Sequence, residues 1–370
     1  MNDTTARLRS VRWSVLDRAL TRRGQRPEEA LRATVRFARQ VEDFGFHRFW
    51  VAEHHGVPGV AGSAPTVLAA AVAAATDRIR VGTGGVMLPN HRPLVVAEQF
   101  GVLASLFPGR VDMGLGRSVG FTAAVRDALG AGKEAADGFG DQLTELLGYF
   151  EGGGPVDALP AAGLRVPAYV LAVGSGGEIA AAHGLPLVMA HLSDEDRMMT
   201  AIDRYRANFV PSAQGERPYL ILAVNVAVAG TPERAGLLQL PEAWATTWSR
   251  TRGVFPPLEP AEEILAREMT ERERRYVEEA RAGQLHGDEE LIAERLARLI
   301  DRTGADEILV TLGAHDHAGR LDSTRRLARL AGLGAPGARG EPGGTVQPGG
   351  PDDARPEPPA AARAVAPATA

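Results

Sequence analysis

An α/β fold closed as a (β/α)8 TIM barrel is what the sequence predicts, and three observations predict it. Eight apolar segments of strand length alternate with helical segments along a single run of chain. The second of them, Phe49 to Ala52, is apolar without interruption, as suits a parallel strand covered on both faces. Glycines, histidines and an arginine gather just after the strands, where active sites of α/β folds sit. A doubly wound open sheet is the structural alternative.

Val11 to Leu16 is the first strand. Pro27, Glu28 and Glu29 open a helix, because proline suits the first helical position and acids suit the positive end of the dipole. Leu31, Val35, Ala38 and Val41 then recur at helical spacing until Gly45. The Phe49–Ala52 strand runs into Glu53-His54-His55. Pro65 opens an alanine-rich helix, and Ile79 to Thr83 is the third strand, ending in Gly84-Gly85. Pro93 opens a helix with Val96, Phe100, Leu103 and Phe107 on one face. Val111 to Leu115 is the fourth strand and closes on Gly116-Arg117. Phe121 to Phe150 reads as mostly helical, with glycine interruptions at Gly130, Gly132, Gly138 and Gly140.

Tyr169 to Val173 is the fifth strand, followed by Gly174-Ser175-Gly176-Gly177 and a helix from Glu178 to His183. Leu185 to Ala190 is the sixth, ending at His191, with a helix from Asp194 to Val210. Leu220 to Val228 and Glu307 to Leu312 are the seventh and eighth. Between them lies an insertion, Thr231 to Ala305, too long for a simple crossover. It carries Phe255-Pro256-Pro257, a charge-dense helix from about Ala261 to Arg281 and a second helix from Glu289 to Arg302. It reads as an excursion over the barrel mouth. The last helix runs from about Asp316 to Leu330. The predicted domain is therefore 1–332. Residues 333–370, rich in Gly, Pro and Ala, cannot bury enough surface to offset ordering entropy and read as a disordered tail.

Bulk properties narrow the function. The 370 residues carry a formal net charge of −5, which argues against a general nucleic-acid binder. With no cysteine there is no disulfide, thiolate nucleophile or cysteine-bound metal. Arg7, Arg9 and Arg12 are followed by no apolar core of a secretory signal, and no run is long enough to cross a membrane. A cytoplasmic location is expected.

The candidate chemistry sits at the strand ends. Alternation of side chains means that Glu53 and His54 point different ways. Placed at a strand's carboxyl end, His54 is the candidate for a functional role, ahead of His55. Paired glycines at Gly84 and Gly85 permit close approach of backbone to a ligand. Gly174, Ser175 and Gly176 form a possible phosphate cradle with neither the lysine of a P-loop nor a G-x-G-x-x-G spacing, and Arg117 offers a counter-charge. His315-Asp316-His317 matches a metal-ligand pattern, but Asp316 is better read as a helix cap, and no metal site is expected.

Several of these motifs, in this order, resemble the bacterial luciferase-like flavin-dependent monooxygenases. They are Phe49 to His55, Val81 to His91, Ala97 to Phe100, Phe107 to Asp112, Gly114 to Arg117, Gly184 to Pro186 and His315 to His317. The resemblance spans about residues 11–332 and excludes the tail. It implies a (β/α)8 barrel binding reduced FMN, or in some branches the deazaflavin F420, at the carboxyl ends of the strands. It implies a separate flavin reductase as the source of reduced FMN. Reaction with O2 through a C4a-(hydro)peroxyflavin would then oxygenate a small organic substrate. By the same resemblance His54 lies beside the flavin and assists proton transfer. Arg117, with Gly174, Ser175 and Gly176, contacts the FMN phosphate. A non-proline cis peptide joins Gly84 and Gly85 under the ring. A homodimer is expected, with no nucleic-acid or membrane partner. The alternatives are an F420-dependent oxidoreductase of the same fold, a flavin-binding protein without turnover, and a metal-dependent barrel hydrolase.

Overall fold

A computed structural model of the chain describes residues 3–172 and 176–334. After α1 (Asp3–Arg9) the elements run β1 (Arg12–Asp17), α2 (Pro27–Asp43), β2 (Arg48–Val51), α3 (Pro65–Ala74), β3 (Arg80–Thr83) and β4 (Val86–Met87). A 3-10 turn, Leu88–Asn90, leads to α4 (Pro93–Leu106) and β5 (Val111–Gly116). Then come α5 (Ala123–Leu129), α6 (Phe139–Glu151), β6 (Ala168–Leu171), α7 (Gly176–Ala182), β7 (Leu187–Ala190), α8 (Glu195–Ala207) and β8 (Leu220–Val228). The chain closes with α9 (Pro232–Arg252), α10 (Ala261–Leu265), α11 (Glu271–Ala282), β9 (Leu285–Gly287), α12 (Glu289–Thr303), β10 (Glu307–Thr311) and α13 (His317–Leu330).

Eight parallel strands form the closed barrel, in the order β1, β2, β3, β5, β6, β7, β8, β10. Closure is made by β10, which pairs with β8 through Glu307 and Ile221 and with β1 through Arg12 and Glu307. The barrel expectation is met, and the open sheet is set aside because an open sheet has two free edges. Proline stands at the start of α2, α3, α4 and α9, where its missing N–H would be unpaired in any case.

The alternation of β2 shows how the strands divide two cores. Phe49 and Val51 join the layer between strands and helices. Arg48 and Trp50 point inward, where Trp50 packs with Tyr169, Val188, Ile221 and Leu309. Toward the amino ends of the strands the interior is ionic. Arg48, 1% exposed, donates to Asp112 Oδ2 and the Tyr169 hydroxyl, each at 2.8 Å, and to Glu307 Oε2 at 3.1 Å. Arg80 and the Trp50 indole also donate to Asp112, and Ser14 and Tyr219 donate to Glu307.

Two sequence expectations need correction. The stretch after β8 opens with α9, twenty-one residues long with Pro241 in its interior, a residue that normally ends a helix. The helix expected over 261–281 divides into α10 and α11, because Thr270 and Glu273 form a capping box that starts a new helix. The glycine breaks expected between Phe121 and Phe150 are met: α5 stops at Gly130 with φ 66°, and a 3-10 turn, Lys133–Gly138, starts after Gly132 and precedes α6. Of the tail expected from 333 onward, 335–370 lie outside the described residues.

The excursion between β8 and β10 does reach the mouth, and it is stitched there. Leu258 exchanges backbone hydrogen bonds with Thr21 and Arg23 at 2.9 and 2.8 Å, and Gly59 N donates to Phe255 O at 2.9 Å. Gly59 must be glycine: a Cβ there would lie 2.2 Å from the Pro256 carbonyl oxygen.

Candidate functional site

The carboxyl end of β2 delivers Glu53, His54 and His55 as the sequence predicts, and the three separate by direction. Glu53 is 3% exposed and turns toward the following strand ends. Its Oε1 lies 2.6 Å from His55 Nε2 and 2.8 Å from His91 Nε2, and its Oε2 accepts from Met87 N at 2.9 Å. Burial works to raise the Glu53 pKa, but the hydrogen bonds from His91, His55 and Met87 prevail and hold it below the ordinary carboxylate value. An ionised carboxylate can only accept, so both imidazoles present N–H at Nε2. A carboxylate and two imidazoles, with ligand atoms within 4.8 Å of one another, are also a metal-binding donor set. The hydrogen bonds account for the arrangement without an ion.

His54 turns the other way. It lines a cavity of about 250 Å³ together with Arg18, Leu20, Val57, Phe121 and Phe255. Its Nδ1 is buried with no hydrogen-bond partner among the described residues. Burial, and then the positive charge of Arg18, push its pKa down to about 4, so the imidazole is neutral at pH 7.

Gly84 and Gly85 are joined by a cis peptide, as the resemblance implied. A Cβ on Gly84 would point into the barrel, 2.7 Å from Leu16 Cδ1 and 3.2 Å from Trp50 Cε3. Beyond them β4 pairs with β5, Met87 opposite Gly116, and Arg117 follows directly. Arg117 reaches toward α7: its Cδ lies 3.6 Å from the place of a Gly176 Cβ. Gly174 and Ser175 lie outside the described residues. One continuous band therefore joins Glu53, Met87, Gly116, Arg117 and Gly176 across adjoining strand ends, with His54 on the cavity side. His191 lies elsewhere, lining a separate cavity with Arg295 and Arg298. Asp316 caps α13 by accepting from Ala318 N at 2.9 Å, as expected.

Sequence reasoning missed Glu53 as the hub, since its partner His91 is distant in the chain. It also missed Arg18 and the wall supplied by Ser249 and Gly253 to Phe255.

The chain matches a known family model, luciferase-like monooxygenase, over residues 12–328. The chain belongs to the luciferase-like monooxygenase family. A luciferase-like monooxygenase of Escherichia coli K12 is 36% identical over 322 residues, covering 85% of this chain and 95% of that protein. The crystal structure of apo-MsnO8 superposes with a TM-score of 0.76 at 32% identity, covering 88% of this chain and 99% of that one. At the level of the fold alone, the chain is similar to the oxygenating constituent of 3,6-diketocamphane monooxygenase from Pseudomonas putida, solved with FMN. Its TM-score is 0.68 at 16% identity, over 87% of this chain and 97% of that one.

Proposed function

We propose that this luciferase-like monooxygenase is a two-component enzyme that takes reduced FMN from a separate flavin reductase and uses O2 to oxygenate a small organic substrate. The observation that carries the reading is the buried, unpartnered Nδ1 of His54 at an apolar cavity, beside a band of strand ends running from Glu53 to Arg117 and Gly176.

The residues suit a flavin. Arg117 and Gly176, with Gly174 and Ser175, would hold the phosphate. Gly84 and Gly85 present backbone without side chains to a flat ring. When bound, the reduced flavin supplies the electrons that activate O2. The chain does the rest. His54, neutral at pH 7, accepts or returns a proton at Nδ1. Glu53 holds His55 and His91 in one orientation. Leu20, Val57, Phe121, Val254 and Phe255 give the cavity apolar walls and keep water from the reacting group.

Residues 1–332 form the functional barrel and 333–370 an appended tail. The enzyme works in the cytoplasm; among the described residues no helix is long and apolar enough to cross a membrane. It assembles as a homodimer through α3 and α4. These helices pack together, expose Val67, Val95, Val102 and Leu106, and carry Glu98 as their sole charged residue.

The test is anaerobic titration of the chain with reduced FMN and, in parallel, reduced F420, followed by ¹⁸O2 and analysis of products from a substrate panel. Tight binding of reduced FMN and ¹⁸O in a product is expected. Preference for F420 with hydride transfer and no label would move the enzyme to the deazaflavin branch. His54→Ala that binds reduced FMN but forms product about 10²–10⁴-fold more slowly separates an enzyme from a carrier.

A further inference from the structure

Among the described residues, the cavity beside His54 has one arginine in a mostly apolar wall that also carries His54, His55, Thr122 and Ser249, and that arginine is held in place. Arg18 follows β1 and lines the cavity with Leu20, Val57, Val60, Phe121 and Phe255. Its Nη2 is anchored on Oε1 of Glu242, which α9 brings to the mouth. Glu242 is itself fixed: its Oε2 accepts from the Asn225 amide at 2.9 Å and from Gly313 N at 3.0 Å. A guanidinium has five donors in a rigid fork, so one anchored nitrogen leaves the others for a ligand. The side chain remains 24% exposed.

We infer that Arg18 is a specificity-determining residue, and that the substrate is an apolar organic acid whose carboxylate it receives while the hydrocarbon body fills the cavity. The inference deepens the monooxygenase reading and rests on it for the word substrate. Three physical points support it. Among the described residues lining this cavity, Arg18 is the only Lys or Arg, and none is Asp or Glu. The carboxylate that anchors Arg18 has hydrogen-bond partners of its own, so recruiting the free side of the guanidinium does not strip Glu242 of its neighbours. The charge of Arg18 is also felt across the cavity, since it helps keep His54 unprotonated. An acid bound there has its body against His54 and Phe255, whereas a neutral ligand of the same shape leaves Arg18 partly desolvated and unmatched.

The test is isothermal titration calorimetry of the full chain with hexanoate and with hexanamide, an uncharged molecule of the same length. Hexanoate is expected to bind at least tenfold more tightly than hexanamide at pH 7. Arg18→Gln is expected to bring the two within about twofold, and Arg18→Lys to restore most of the preference. Val57→Trp, which fills the cavity and leaves Arg18 in place, is expected to weaken both ligands. Equal binding of acid and amide by the native chain overturns the inference, as does failure of hexanoate to bind. Hexanoate binding that survives both Arg18→Gln and Val57→Trp places the acid elsewhere and overturns it too. Titration of the native chain with reduced FMN is read separately. Acid selectivity at Arg18 without flavin binding would sink the monooxygenase reading and leave the acid site standing.

Discussion

Oε1 of Glu53 accepts a hydrogen bond from Nε2 of His91 at 2.8 Å, tying the end of β2 to the turn after β4. The same oxygen holds His55 at 2.6 Å. One buried carboxylate thus orients two imidazoles. Glu53→Gln keeps the shape but removes the charge that makes these bonds strong. The expected outcome is a loss of about 1–3 kcal/mol of stability by urea unfolding. Product formation should fall by about an order of magnitude as both rings lose their orientation. Unchanged turnover would show that neither ring serves the reaction.

At the other end of the barrel the network is structural. Arg48 sits between Asp112 and Glu307 with almost no exposure. Arg48→Ala leaves two carboxylates buried. Asp112 retains Arg80 and the Trp50 indole, so the cost falls mainly on Glu307, which keeps only the Ser14 and Tyr219 hydroxyls among these partners. A loss of about 3 kcal/mol is expected, near the lower bound for breaking a buried pair. Urea unfolding measures it.

His54 gives a pH signature. Its pKa is about 4 in the fold against an ordinary 6.5, lowered first by burial and then by Arg18, with Glu53 opposing. Between these values the unfolded chain binds a proton that the native chain refuses. Stability is therefore full above about pH 6.5 and falls as pH is lowered toward 4. His54 accounts for up to about 3 kcal/mol of that fall. His47 and His317 are also held at about 4, so they preserve part of the dependence in any His54 variant. His54→Gln should reduce the slope of unfolding free energy against pH by up to one proton in this window. A slope equal to that of the native chain would mean that His54 titrates freely.

The barrel was legible because its signals are local. An unbroken apolar run such as Phe49 to Val51 marks a buried parallel strand, and Pro27, Pro65 and Pro93 mark helix starts. The three-residue β9 is too short for any period to show, and Pro241 disguises the long helix α9. The site was legible where one segment carries it: Glu53-His54-His55, Gly84-Gly85 and Arg117 all follow strands. It was not legible where pairing joins distant segments. The anchoring of Arg18 by Glu242 depends on how α9 folds back over the mouth, and no spacing in the sequence reports that.

The apolar face of α3 and α4 gives a mass measurement. Val102 is 47% and Leu106 is 64% exposed, on a helix with a single charge. Val102→Glu with Leu106→Glu places two carboxylates on that face at little cost to a monomer, since neither side chain is in the core. The native chain should elute at twice the chain mass in light scattering, and the double variant at one. A dimer that persists in the variant assigns the contact to another surface.

Arg117 offers the sharpest separation of phosphate from ring. It follows the last residue of β5, and its side chain lies between Gly176, at the start of α7, and Asp137, whose Oδ1 is 3.7 Å from Nη2. A guanidinium there would bind a flavin phosphate with paired hydrogen bonds that a lysine cannot copy. Arg117→Ala should weaken reduced FMN by about 10–100-fold, equivalent to roughly 1.4–2.8 kcal/mol. Arg117→Lys should recover only part of this. Reduced riboflavin, which has no phosphate, should bind native and variant chains alike. Anaerobic fluorescence titration of both flavins decides the matter: equal losses for FMN and riboflavin would mean that Arg117 supports the loop or the ring, and no loss for either would put the phosphate somewhere else on the barrel rim.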